Sequence, residues 1–154
     1  MTRVLITGMS ATGKSTVLRE LTSRGWTTVD LDDGYVRPLP DGRQQWDEAL
    51  VDELLTREVE GCLAVAGCED NMGRFLPRFD LVVLLSVPVD VLVSRVHTRE
   101  GNDFGRRPGE LERILADQRE IEPLLRRIAD LEIVTTMTVV EVADRIVAEV
   151  ADRS

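Results

Sequence analysis

With 154 residues, 43% of them hydrophobic and 31% charged, the chain has the length and composition expected of one globular domain, 1–154, able to bury a sizeable core. A net charge of -9 repels polyanions and argues against a nucleic-acid partner, and no run approaches the roughly 18 apolar residues that span a bilayer, so no membrane partner is expected either. Cys62 and Cys68 are too few for a disulfide framework and are spaced unlike a zinc clip, and the opening residues lack a secretory h-region, so the expected location is the cytoplasm.

In chain order, an apolar strand over 3–7 leads into a glycine-bearing loop over 8–13 and a helix over 14–24 whose Val17, Leu18 and Leu21 form one apolar face. Gly25 is its stop signal, and a second strand covers 27–30. Residues 32–45 are rich in Gly, Pro and polar side chains and read as a loop before a helix over 47–60 with Leu50, Leu54 and Leu55 inward. A strand over 62–66 ends in the polar loop 67–73. The nearly all-apolar run 80–88 reads as a strand buried on both faces, hence central. Helices at 89–98 and 108–129 flank the arginine-rich stretch 99–107, and a strand over 131–135 and a helix over 139–151 complete the chain. Strands alternating with helices predict βαβ units and a parallel sheet covered on both faces, with no internal repeat or linker.

Gly8-Met9-Ser10-Ala11-Thr12-Gly13-Lys14-Ser15 fits G-x-x-x-x-G-K-[ST] between a predicted strand and a predicted helix. Glycines at both ends let successive amides point at phosphate oxygens, and the helix that follows offers its positive end. Lys14 is placed to bridge the β and γ phosphates, and Ser15 to coordinate the magnesium that spans them; Gly8 through Thr16 is the candidate nucleotide-binding stretch, with ATP and Mg2+ the implied cofactors. Lys14 is also the only lysine among 19 basic residues, and it stands at the one position where a compact ammonium is needed rather than a guanidinium.

Asp30, Asp32 and Asp33 end the second strand, and ligands of open parallel sheets gather at strand carboxyl ends. One carboxylate there can hold magnesium and another can take the proton of an attacking hydroxyl; the alternative is a solvated acidic turn. Arg95, Arg99, Arg106 and Arg107 surround a stretch whose Gly101 and Gly105 can hinge a lid over about 99–108. Arg95 and Arg99 are candidates for nucleotide binding, and Arg99 and Arg107 for the charge that develops in transfer; a solvated face is the competing reading for each. His97 reads as structural, and Trp26, Trp46, Phe75 and Phe79 as packing residues before substrate platforms.

On these residues the chain resembles the small P-loop kinases of the shikimate kinase, gluconate kinase and adenylate kinase group. The resemblance rests on Gly8 to Ser15, Asp30-Leu31-Asp32, the Gly67 loop, the arginine-bearing stretch ending Arg107-Pro108, and Thr135-Thr136 before the last helix. It implies an α/β three-layer sandwich of the P-loop NTPase type, with a five-stranded parallel sheet in order 2-3-1-4-5, a short lid, and an acceptor site between the helix after strand two and the Gly67 loop. It also casts Asp30 as the metal-side carboxylate and Asp32 as the base. The glycine triplet of shikimate kinases after strand three is missing, as is their Phe-Arg pair. Arg57, Arg74 and Arg78 are open to an anionic acceptor but read more simply as surface arginines. A base at Asp32 favours a small-molecule hydroxyl acceptor; a nucleoside monophosphate acceptor, a nucleotide-binding switch without a transfer substrate, and a nucleic-acid kinase are the other readings, and protein partners are left open.

Overall fold

Among the described residues, thirteen elements follow one another: β1 (Thr2–Thr7), α1 (Lys14–Ser23), β2 (Thr27–Asp30), β3 (Val36–Pro38), β4 (Gln44–Trp46), α2 (Glu48–Thr56), β5 (Cys62–Ala66), a 3-10 helix (Met72–Arg78), β6 (Leu81–Ser86), α3 (Val89–Thr98), α4 (Glu110–Ile128), β7 (Leu131–Val134) and α5 (Val139–Arg153). They come from a computed structural model, which describes residues 1–9, 11–98 and 109–153. Five parallel strands form the main sheet in the order β2-β5-β1-β6-β7. Counted among themselves, these strands run 2-3-1-4-5, the order the resemblance implies.

The pleat divides the apolar residues of the strands between two cores. Val4 and Ile6 of β1 and Leu81, Val83 and Leu85 of β6 face α1 and α5. Leu5 of β1, Val82 and Leu84 of β6, and Leu63 and Val65 of β5 face α2, the 3-10 helix and α4. All six residues of β6 are buried, which is why this strand carries no polar alternation. Each fully buried Leu or Val contributes about 1.5–3 kcal/mol relative to exposure, so the sheet is the best-anchored part of the molecule.

Two expectations are corrected in the segment between β2 and β5. Residues 32–45 are not simply a loop: β3 and β4 pair as an antiparallel hairpin, with Val36 opposite Trp46 and Pro38 opposite Gln44. Strands of three residues are too short to show a period, and the turn that joins them is closed by Leu39 N donating to Arg43 O at 2.7 Å. Helix α2 stops at Thr56 rather than 60, where Arg57 turns to an extended conformation, and it buries Val51, Leu54 and Leu55 while Leu50 is exposed. Positions 51, 54 and 55 form one i, i+3, i+4 face, and Asp47 caps the helix by accepting from Leu50 N at 3.2 Å.

The hairpin is fastened to the core through Trp46, which is fully buried and packs against Phe75 with ring centroids 6.0 Å apart. Asn71 holds both backbone groups of Trp46: its Oδ1 accepts from Trp46 N at 3.1 Å, and its Nδ2 donates to Trp46 O at 2.9 Å. Trp46, Phe75 and Phe79 are therefore core residues, and Trp26 packs against the opposite core.

Candidate functional site

The strand order reverses at β1, and the segment leaving its carboxyl end is the G-x-x-x-x-G-K-S loop. Its first residue can only be glycine: Gly8 has φ +152° and lies so close to β6 that an added Cβ would meet Leu85 O at 2.4 Å. Ala11 follows with φ 66°, and Gly13 with φ +95° caps α1. A glycine-bearing turn that runs into a helix N-terminus is the kind of segment that binds anions through its backbone amides. Thr12 is buried and donates its hydroxyl to Met9 O at 2.8 Å, which ties the loop across its own mouth.

Lys14 reaches back over the loop and donates Nζ to Gly8 O at 2.6 Å and Met9 O at 3.1 Å. Burial holds its ammonium below the ordinary lysine range, and nearby acidic groups push the other way. Of these, the Cys68 thiol is itself raised by burial and stays protonated near neutral pH, so Asp32 and Asp30 are the effective partners. Ser15 and Asp30 meet beside the loop, Ser15 Oγ donating to Asp30 Oδ2 at 2.9 Å. Two hard oxygens from α1 and β2 thus converge, a donor set that fits magnesium in the mode where phosphates and water complete the shell. Among the described residues, no group of three or more His, Cys, Asp or Glu side chains is arranged to hold a metal without such help.

Two cavities flank the loop. One, of about 310 Å³, is lined by Ala11, Thr12, Gly13 and Thr16 on the loop side and by Arg95, Thr135, Met137 and Val139 on the other. Arg95 is the hinge of that wall: its guanidinium donates to Ala11 O at 3.1 Å, to Thr135 Oγ1 at 3.1 Å and also to Thr135 O. Thr135 in turn donates its N–H to Ser86 O at 2.8 Å, so the turn after β7 is fixed to the end of β6.

The other cavity, of about 530 Å³, opens on Gly8, Met9 and Lys14. Asp32, Gln44, Cys68, Glu69 and Asp70 form its polar side, and Met72, Leu76, Ile121, Leu124 and Ile128 its apolar side. The hairpin braces the polar side, with Gln44 Nε2 donating to Glu69 Oε1 at 2.8 Å and Arg43 pairing with Asp70 at 2.8 Å. Burial, then Asp30, hold the Asp32 carboxyl above its ordinary range against the pull of Lys14; burial does the same for Glu69.

The structure brings Gly8, Met9, Ala11, Thr12, Gly13, Lys14, Ser15, Thr16, Asp30, Asp32 and Arg95 into one region. Ser10, and the lid with Arg99, Arg106 and Arg107, lie outside the described residues. The second cavity takes its helical walls from α4 and the 3-10 helix, and no α2 residue lines it. Arg57, Arg74 and Arg78 pair with Glu53, Glu48 and Asp52 on α2. Asp117, Glu69 and the apolar wall are absent from the sequence-based candidates. One signal was available: Ile121, Leu124, Leu125 and Ile128 recur at i, i+3, i+4 and i+7 along α4.

Neither a protein-family model nor a curated protein matches the sequence. Solved structures do. A shikimate kinase from Acinetobacter baumannii in complex with shikimate superposes with a TM-score of 0.70 at 17% identity, over 100% of this chain and 95% of that one. A shikimate kinase from Aquifex aeolicus gives 0.65 at 17%, over 98% and 97%, and a gluconokinase from Sinorhizobium meliloti 0.65 at 17%, over 98% and 92%. The chain therefore has the fold of the small P-loop kinases, a parallel five-stranded sheet with helices on both faces.

Proposed function

We propose that residues 1–154 form one kinase domain that transfers the γ-phosphoryl group of ATP, with magnesium, to the hydroxyl of a small molecule. The observation that carries this reading is the pair of cavities that share the phosphate loop as a wall, one reaching the turn after β7 and the other holding Lys14 beside Asp32. A binding or switching module needs the first; only a transferase needs both. The similarity to shikimate kinases and a gluconokinase supports the same class without naming the acceptor.

In this reading the nucleotide base and ribose occupy the 310 Å³ cavity against Arg95, Thr135 and Met137, and the phosphates lie against the stretch from Gly8 to Thr16. Lys14 exchanges its hold on Gly8 O and Met9 O for phosphate oxygens, which makes its charge available where negative charge develops. Ser15 and Asp30 would hold magnesium, which would supply charge neutralisation to the phosphates. Asp32 accepts the acceptor's hydroxyl proton. A carboxyl raised above its ordinary range is a better base than an unperturbed aspartate, and a nucleoside monophosphate, already an oxyanion, would not need one.

The test is ADP release with ATP and magnesium across nucleosides, nucleoside monophosphates, shikimate, gluconate and other hydroxy compounds. Stimulation by a hydroxyl acceptor is expected, with Lys14→Ala lowering turnover by about 10²-fold or more. Tight ATP binding with no stimulation by any acceptor would leave a nucleotide-binding module.

A further inference from the structure

The 530 Å³ cavity has a chemistry of its own. Its acidic side chains are Asp32, Glu69, Asp70 and Asp117, and among the described lining residues Lys14 is the only cation. Lys14 is engaged with Gly8 O and Met9 O and, on the kinase reading, is reserved for phosphate. Glu69 is satisfied by Gln44 and Asp70 by Arg43, whereas Asp32 and Asp117 have no hydrogen-bond or ion-pair partner for their carboxylates among the described residues. The 3-10 helix that forms one side of the cavity sends its two arginines the other way, Arg74 to Glu48 and Arg78 to Asp52.

A second, independent feature is the opposite wall. Leu124 is 55% exposed and Ile128 36% exposed, large apolar side chains left open to solvent on α4, and both line this cavity with Ile121 and Leu76. The volume matches that of small-molecule sites, which are largely apolar with a few placed polar groups. An anionic acceptor would bring its charge against four carboxylates, and a sugar would leave the leucine and isoleucine wall uncovered.

We propose, resting on the kinase reading, that the acceptor is an amino alcohol: a hydroxyl that approaches Lys14 and Asp32, a protonated amine held by Asp117, and an apolar body against Leu124 and Ile128. In the transfer, the hydroxyl oxygen forms its bond to the γ-phosphorus as the bridging bond to ADP breaks. The hydroxyl proton passes to Asp32, and the ammonium keeps its proton and does not react.

The experiment compares matched triples of aryl, branched-alkyl and cyclic body: an amino alcohol such as phenylalaninol, the diol in which a hydroxyl replaces the amine, and the hydroxy acid in which a carboxylate does. ADP release with the full chain at neutral pH should give the amine a KM about tenfold or more below that of the diol, with the hydroxy acid poorest. Asp117→Asn should bring the amine-to-diol ratio towards one, and Asp117→Arg should favour the hydroxy acid, a reversal that a merely structural role for Asp117 would not produce. Preference for the diol or the hydroxy acid, or an unchanged ratio in Asp117→Asn, would overturn this inference and leave the kinase reading standing. No stimulation by any compound, with ATP still bound, would overturn both.

Discussion

Asp32 concentrates the electrostatics of the site. Its carboxyl is raised by burial and then by Asp30, and Lys14 only partly compensates. A group whose folded-state pKa lies above its unfolded value favours the folded state at low pH, and that contribution is lost as pH rises through the folded value. At neutral pH, therefore, ionised Asp32 opposes folding. Asp32→Asn is expected to lower phosphoryl transfer by about 10²- to 10⁴-fold while raising the melting temperature at pH 7. The gain should shrink as pH falls through the raised folded-state value, where the wild-type carboxyl takes up its proton. The acid limb of kcat/KM should correspondingly lie above the ordinary aspartate value of about 3.9. A lower melting temperature for Asp32→Asn at pH 7 would remove the basis for treating this residue as a strained base.

At the scale of elements, α4 closes one side of the second cavity, and a charged network near its carboxyl end ties it to the sheet. Arg126 donates Nε to Glu132 Oε1 at 2.7 Å and Nη2 to Glu132 Oε2 at 3.0 Å, with Nη2 also 3.0 Å from Glu122 Oε1. Ser86 Oγ donates to the same Glu132 at 2.7 Å, so α4, β6 and β7 meet in one network. Arg126 holds the Glu132 carboxyl below its ordinary range; that stabilisation is present above the unfolded value and is lost as pH falls through the depressed one. Because Arg126 is 48% exposed, Arg126→Ala should cost only about 1 kcal/mol in chemical denaturation. Its distinguishing effect is on function: KM for the acceptor should rise as the α4 wall loosens, with KM for ATP little changed. An acceptor KM equal to that of the wild type would show that the network serves stability alone.

Across the whole molecule, 28 acidic residues face 19 basic ones, and the net charge of -9 sets a self-repulsion that surface pairs such as Arg24–Asp144 and Arg153–Glu149 only locally relieve. Raising salt from about 0.01 to 0.1 M shortens the screening length from about 30 to about 10 Å, which weakens the long-range repulsion more than the contact pairs. The melting temperature is expected to rise over that interval. A fall would mean that the ion pairs outweigh the net charge.

The sequence by itself determined the parallel sheet and the glycine-bearing loop before α1, because each rests on local spacing, whereas the strand order and the choice of Asp30 as the metal-side carboxylate came from the resemblance. A period of two or 3.6, a glycine before a helix, and a carboxylate at a strand end are all set by neighbours in the chain. What only the tertiary structure decided is the second cavity. Asp32, Gln44, Glu69, Asp70, Asp117 and Leu124 belong to four separate segments that meet only after the sheet is assembled. The β3–β4 hairpin was equally illegible, since its stability comes from Trp46 in a distant core and from Asn71 rather than from its own three-residue strands. Local propensity places a residue on an element; only packing decides which elements share a cavity, and with it the charge and shape of what can bind there.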